Sequence, residues 1–165
     1  MSIESQVKKY LHQHRVSFYT LSSETATEPA PRMRRPHCCA HRILRTMLVQ
    51  IDNQFALVLV ERQQDIDLDR LKIALKARTV RKLSPEECGD LFPDCDVSAI
   101  PALGSAFDLP VYCGPNVLNE CHICFNPGTH DEIVMIATED FKSLVRPRVG
   151  QFAKTVHSSE WDMYI

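Results

Sequence analysis

Apolar residues recur at helical spacing from the start of the chain. Ile3, Val7, Tyr10 and Leu11 share one stripe behind Ser2, a side chain able to cap, so the first fourteen residues read as an amphipathic helix. Residues 16–21 are apolar and β-prone and read as a short strand. Ser22, Ser23, Pro29, Pro31 and Pro36 mark residues 22–36 as loop, and a short helix is expected over residues 37–44. Two β-rich runs, 44–51 and 54–61, flank Asp52 and Asn53, the spacing of a two-residue hairpin. Ile66, Leu68, Leu71 and Leu75 stripe a helix that Asp65 or Asp67 opens and that runs to Lys76. Residues 79–83 read as a strand. Ser84, Pro85, Glu86 and Glu87 form a capping box with proline at the first helical position, opening a helix to Leu91. Residues 93–110 show no sustained period and read as loop. Strands are expected at 109–113, 120–125 and 132–137, with turn chemistry at Asn126, Pro127, Gly128 and Thr129. Thr138 is expected to cap a last helix through Val145, with Glu139 and Asp140 in its first turn. Strands outnumber helices and the two kinds are interspersed. This implies an α+β (mixed α/β) fold, a single domain on one curved mixed sheet flanked by helices.

Composition narrows the class. With 165 residues, 44% of them apolar and 24% charged, the chain is an ordinary globular one, long enough to bury roughly 68–70% of its unfolded surface. The longest apolar run, Phe55 to Val60, is far short of the ~20 residues that span a bilayer. The N-terminus lacks the basic-then-apolar layout of a signal peptide, so a cytoplasmic protein with no membrane partner is expected. Seven cysteines, an odd number, then read as reduced thiols. Two groupings look metal-like: His37, Cys38, Cys39 and His41, and Cys121, His122 and Cys124. Strand alternation puts Cys121 and His122 on opposite faces and splits the second set, so structural cysteines and no metal are expected.

The formal charge of -2 argues against a protein that coats nucleic acid, yet it hides a segregated distribution. No acid stands between Glu28 and Asp52, where Arg32, Arg34, Arg35, Arg42 and Arg45 fall, nor between Asp69 and Glu86, where Arg70, Lys72, Lys76, Arg78, Arg81 and Lys82 fall. Two such windows can build one basic face that neutralises a few phosphates; a solvated helix face plus a basic loop is the other reading. No Gly-x-Ser-x-Gly elbow, phosphate-binding glycine loop or His-Glu-x-x-His helix is present, so any chemistry rests on charge, backbone amides or the substrate itself. Arg45, at the start of a buried strand, is a candidate to hold a phosphate or carbonyl, or else an arginine snorkelling off a strand edge.

Residues 43–51 (ILRTMLVQI), 56–60, 68–77 (LDRLKIALKA), 79–87 (TVRKLSPEE), 98–104 (SAIPALG) and 126–132 (NPGTHDE) follow one another in a familiar order. Over residues 5–147 the chain resembles the YbaK/ProX family of aminoacyl-tRNA deacylases, relatives of the editing insertion domain of prolyl-tRNA synthetases. The resemblance implies a YbaK/ProX-like editing domain over residues 1–147 and a C-terminal tail over 148–165. It implies substrate-assisted, metal-independent hydrolysis of the ester on mischarged tRNA, with no cofactor. The implied partners are the aminoacyl-tRNA 3′ end and, secondarily, an aminoacyl-tRNA synthetase. A second sieve of this kind answers a physical limit, because a hydrophobic pocket discriminates one methylene by only ~1–3 kcal/mol.

Carried onto this sequence, the family's lysine falls at Arg45, which keeps the charge but forks differently. Its glycine-rich loop falls at Ser98, Ala99, Ile100, Pro101, Ala102, Leu103 and Gly104, with Ser98 for the first glycine and Ala102 for the proline. The second loop matches at Gly128, Thr129 and His130. Arg45, Ser98 and Gly104 are thus the catalytic candidates, and Ile100, Pro101, Ala102, Gly128, Thr129 and His130 the substrate-binding ones. Met47, Ile100, Leu103 and Phe107 are candidates to line the amino-acid pocket. The alternative is a catalytically degenerate module that binds tRNA or a nucleotide-like ligand without turnover.

Overall fold

The computed structural model describes residues 2–22, 43–61 and 64–155. In chain order its elements are α1 (Ile3–Gln13), β1 (Phe18–Ser22), β2 (Ile43–Ile51), β3 (Gln54–Val60), β4 (Gln64–Ile66), α2 (Leu68–Leu75), β5 (Val80–Lys82) and α3 (Pro85–Leu91). There follow β6 (Val111–Cys113), β7 (His122–Phe125), β8 (Glu132–Ala137), α4 (Thr138–Val145), β9 (Arg148–Val149) and β10 (Ala153–Thr155). Short 3-10 turns at Val97–Ala99, Gly104–Phe107 and Pro115–Asn119 punctuate the long connections between α3 and β7.

The main sheet runs β1-β8-β7-β2-β3-β6-β9, with β5 also on β2, and β4 pairs separately with β10. One edge of β2 pairs antiparallel with β3 from Arg45 opposite Val60 to Ile51 opposite Gln54. The other edge is divided. Ile43 and Leu44 pair with β7 in parallel, whereas Val49, Gln50 and Ile51 pair with β5 antiparallel. Between the two ladders, Leu83 N–H reaches the Leu48 carbonyl at 3.0 Å. The sheet therefore forks along β2, and the fork leaves a notch at residues 45–47.

Alternation along β2 and β3 decides which face each side chain enters. Leu44, Leu48, Leu57 and Leu59 join Ile3, Val7 and Leu11 of α1, Cys88 of α3 and Phe141 of α4 in one core. Val49, Ala56, Val58 and Val60 face the other way, onto Ile66, Leu71 of α2, Tyr112 and Phe152. Each large side chain fully buried this way contributes about 1.5–3 kcal/mol before chain entropy is counted. The hairpin between β2 and β3 is pinned from outside. Asp52 takes φ +52, a region short polar side chains tolerate, and its carboxylate accepts from the Arg78 and Thr79 amides at 2.9 and 3.0 Å. Ser84 and Glu87 form the expected capping box on α3, and the Arg81 guanidinium clasps Glu87 at 2.8 and 2.7 Å. That clasp holds the Glu87 carboxyl down at about 2.

Several expectations change. Of the helix expected over 37–44, residues 37–42 lie outside the described residues; Leu44 is strand as the 44–51 run implies, and Ile43 joins that strand because β7 pairs with both. The strand β4 was not anticipated; its partner β10 is remote in sequence, and Asp67 alone caps α2. The α4 cap is Ala137, because the Thr138 hydroxyl turns inward to donate to the Glu120 carbonyl. Residues 148–155 of the C-terminal tail pack on the domain as β9 and β10, with Phe152 in the core, in keeping with an ordinary packing role. Cys88, Cys95, Cys113 and Cys121 are free, but Cys124 is disulfide-bonded, contrary to an all-reduced chain. Bonding depends on the spatial approach of two thiols, which spacing along the sequence does not give.

Candidate active site

Two loops meet at the fork of β2. The first holds the 3-10 turn Val97–Ala99, which packs against β2 and α3. The second begins at Asn126, just past the pairing of Leu44 with Phe125, and so continues from β7 alongside the notch. Asn126 Nδ2 donates to the Glu132 carbonyl at 2.9 Å and closes that loop. Gly128 sits at φ +114 with its Cα against α1, where a Cβ would stand 3.1 Å from Ile3 Cγ2. Only glycine takes this backbone without strain.

Asp96 joins the loops. Its amide donates to the Gly128 carbonyl at 2.9 Å, and its carboxylate accepts from the His130 amide at 3.3 Å. Thus braced, the loops set Ser98 Oγ 2.6 Å from His130 Nε2, with both side chains open to solvent. With the ring proton on Nδ1, Nε2 accepts the Ser98 hydroxyl proton, the arrangement that general-base activation of an alcohol requires. Ser98 and His130 were assigned separately from sequence, one as catalytic and one as substrate-binding; the fold makes them a pair. Thr129 is half-buried between Gly128 and His130.

The remaining assigned residues take other positions. Arg45 shares its face of β2 with Met47 and Val49, opposite Leu44 and Leu48, and its guanidinium donates to the Gln64 carbonyl at 3.1 Å. Ile100, Ala102 and Leu103 are buried in the α1-side core, and Pro101 is buried beside them. Gly104 answers to packing, since a Cβ there would meet the Leu109 carbonyl and Val111 Cγ2 at 2.5 Å. Phe107 stacks edge-on against Phe92 at 5.1 Å. Met47 belongs to the opposite face.

Two residues that the sequence did not single out belong to the site. Asp96 is the brace, and its position just before the Val97–Ala99 turn, where short polar residues favour turn starts, was the available signal. Thr46 lies in the notch, is only 8% exposed, and its Oγ1 has no hydrogen-bond partner among the described residues. Leaving such a group unpaired costs about 1–3 kcal/mol, so Thr46 is a polar group available to a ligand at the fork.

The thiols of Cys95 and Cys113 do not compete for the chemistry. Burial, with Asp96 nearby, pushes the Cys95 thiol up to about 11, and burial pushes Cys113 up to about 11, so both stay neutral and weakly nucleophilic at neutral pH. The second basic window is partly spent on local pairs, Arg70 with Asp67, Arg81 with Glu87 and Lys82 with Asp65 at 3.4, 2.7 and 2.8 Å, whereas Arg32, Arg34, Arg35 and Arg42 of the first lie outside the described residues. Lys72, Lys76 and Arg78 are exposed and make no ion pair with a described residue. No helix among the described residues is long and apolar enough to cross a membrane.

A mixed sheet flanked by helices is the fold of aminoacyl-tRNA editing proteins, which are deacylating hydrolases. The sequence profile of the aminoacyl-tRNA editing domain matches residues 24–144, and the chain belongs to that family. Among solved structures it is similar to one provisionally described as a trans-editing enzyme for prolyl-tRNA synthetase, at 18% identity and a TM-score of 0.72, over 93% of this chain and 98% of that one. A hypothetical protein matches at 12% identity and a TM-score of 0.72, over 90% and 99% of the two chains. A protein provisionally described as a signal-transduction protein from Marinobacter aquaeolei matches at 20% identity and a TM-score of 0.70, over 90% of this chain but 30% of that one. No curated protein matches in sequence.

Proposed function

We propose that the protein hydrolyses the ester bond of mischarged aminoacyl-tRNA, acting on the 3′ end of the tRNA in the cytoplasm with no metal or cofactor. The observation that carries this reading is the Ser98–His130 contact at 2.6 Å, built by two loops that lie inside the segment matching the editing domain. An aminoacyl ester needs a held carbonyl, a group to accept a proton and access for water. The braced loops supply the holding surface, His130 the proton acceptor, and solvent exposure at Ser98 the access. Arg45, on the other face of β2, serves the terminal nucleotide rather than the ester, through the donors its guanidinium keeps beyond the Gln64 bond. Lys72, Lys76 and Arg78 meet backbone phosphates. With so few contacts, binding weakens with salt at a slope of roughly -0.7 to -0.9 per phosphate neutralised.

The test is a panel of tRNAs carrying cognate and non-cognate labelled amino acids, each incubated with excess protein while the remaining ester is followed. Accelerated loss of at least one non-cognate ester is expected. Salt-sensitive retention of every charged tRNA with no ester loss would replace this reading with that of a binding module.

A further inference from the structure

Ser98 and His130 bring a hydroxyl and an imidazole together from two different loops. Both side chains are exposed, so no burial forces the contact, yet the hydroxyl and the imidazole meet at 2.6 Å across thirty-two residues of sequence. The backbone around them is fixed by other bonds: Asp96 amide to Gly128 carbonyl, Asp96 carboxylate to His130 amide, and the Ala99 amide to the Asp96 carbonyl at 2.9 Å. The contact is thus preorganised by the loops and available to a reagent from solvent. Burial pushes the free thiols of Cys88, Cys95 and Cys113 up, so these three stay neutral at neutral pH.

We propose that Ser98 is the nucleophile of this protein and His130 its general base, so that ester cleavage passes through a covalent acyl-Ser98 intermediate. The aminoacyl case rests on the editing reading above. Ser98 Oγ adds to the ester carbonyl carbon while His130 Nε2 takes the hydroxyl proton. The tetrahedral adduct collapses, the bond from carbonyl carbon to ribose oxygen breaks, and His130 returns the proton to that oxygen. Deacylated tRNA leaves. Water then adds to the acyl-Ser98 ester with His130 again accepting a proton, the bond to Ser98 Oγ breaks, and the proton passes to Ser98. The amino acid is released, the serine is restored, and no oxidant, reductant or metal enters. Ser98 in this way takes a role that the family resemblance leaves to the substrate.

The test has two arms. In the first, the purified chain is treated with a fluorophosphonate, which loses fluoride to an activated serine, and the adduct is mapped by peptide mass. Label on Ser98 that is lost in His130→Gln is expected. In the second, single-turnover ester loss from charged tRNA is compared between wild type and Ser98→Gly. A change at this exposed turn leaves the fold intact, which circular dichroism verifies, and a fall of at least about 100-fold is expected. Absence of label from Ser98, or a Ser98→Gly variant as fast as wild type, overturns the proposal. Wild-type deacylation without label on Ser98 rejects the nucleophile and leaves the editing reading standing. Label on Ser98 with every charged tRNA left intact supports the nucleophile and sinks the editing reading.

Discussion

The Asp96 amide donates to the Gly128 carbonyl at 2.9 Å, and the same residue's carboxylate accepts from His130. One aspartate therefore ties both loops of the site through the second loop's backbone. Replacing it by alanine keeps the amide bond and removes the carboxylate. Asp96→Ala is expected to lower single-turnover deacylation about tenfold while changing unfolding free energy by less than about 1 kcal/mol, because the lost bond is exposed. Parallel rate and urea-unfolding measurements check the split. A large stability loss would assign Asp96 to the fold instead.

Glycines separate site geometry from helix economy. Gly128→Ala forces a Cβ onto φ +114 and into Ile3, and should destabilise by about 1–2 kcal/mol. Gly89, in the interior of α3, has open space around its Cα, and Gly89→Ala should stabilise by about 0.5–1 kcal/mol. Thermal unfolding of the two variants side by side reads opposite shifts in Tm; shifts of the same sign would contradict the assignment.

Much of the fold was legible because local signals agreed with tertiary ones. The stripe of Ile3, Val7 and Leu11, the pair Asp52 and Asn53, and the capping box at Ser84 and Glu87 each carry their own periodicity or turn chemistry. The misses share a cause. Gln64–Ile66 is strand only because Ala153–Thr155 lies beside it, and Ile43 extends the expected 44–51 strand only because β7 pairs with it. The same holds at the site. The sequence supplied Ser98 and His130, but their contact depends on Asp96 and on the fork of β2, neither of which has a spacing to read. Arg45 was visible as a charge, whereas its face was set by strand alternation against a core known only after folding.

The salt link among Glu4, Lys8 and Glu132 gives stability a pH dependence. Lys8 Nζ lies 2.7 Å from Glu4 and 3.0 Å from Glu132, fastening α1 to β8. Its hydrogen bond, then the one with Glu132, holds the Glu4 carboxyl below its ordinary value of 4.5. A depressed carboxyl stabilises fully above 4.5, and that contribution fades as pH falls through the lower folded value. Lys8, raised from 10.5 chiefly by its bond to Glu4, stabilises fully below 10.5 and loses its contribution as pH rises beyond the raised value. Lys8→Met should flatten the acid side of the stability profile. Urea unfolding at pH 7 and pH 3.5 measures it, and an unchanged difference between the two would reject the link.

Arg45 distinguishes nucleotide holding from ester chemistry. If its guanidinium meets the terminal nucleotide, Arg45→Ala should raise the protein concentration needed for half-maximal single-turnover rate about tenfold or more, and leave the saturating rate within a few-fold of wild type. Arg45→Lys should recover part of the loss, since charge returns without the fork. A collapse of the saturating rate would place Arg45 at the ester after all.

The most direct test of the account is enzyme-excess deacylation of a short acceptor-stem hairpin carrying a labelled non-cognate amino acid, surveyed across amino acids. The account predicts a single-exponential loss of ester well above the buffer rate for at least one of them, abolished in His130→Gln. Loss at the buffer rate for every amino acid, with the protein folded and bound to the hairpin, would contradict it.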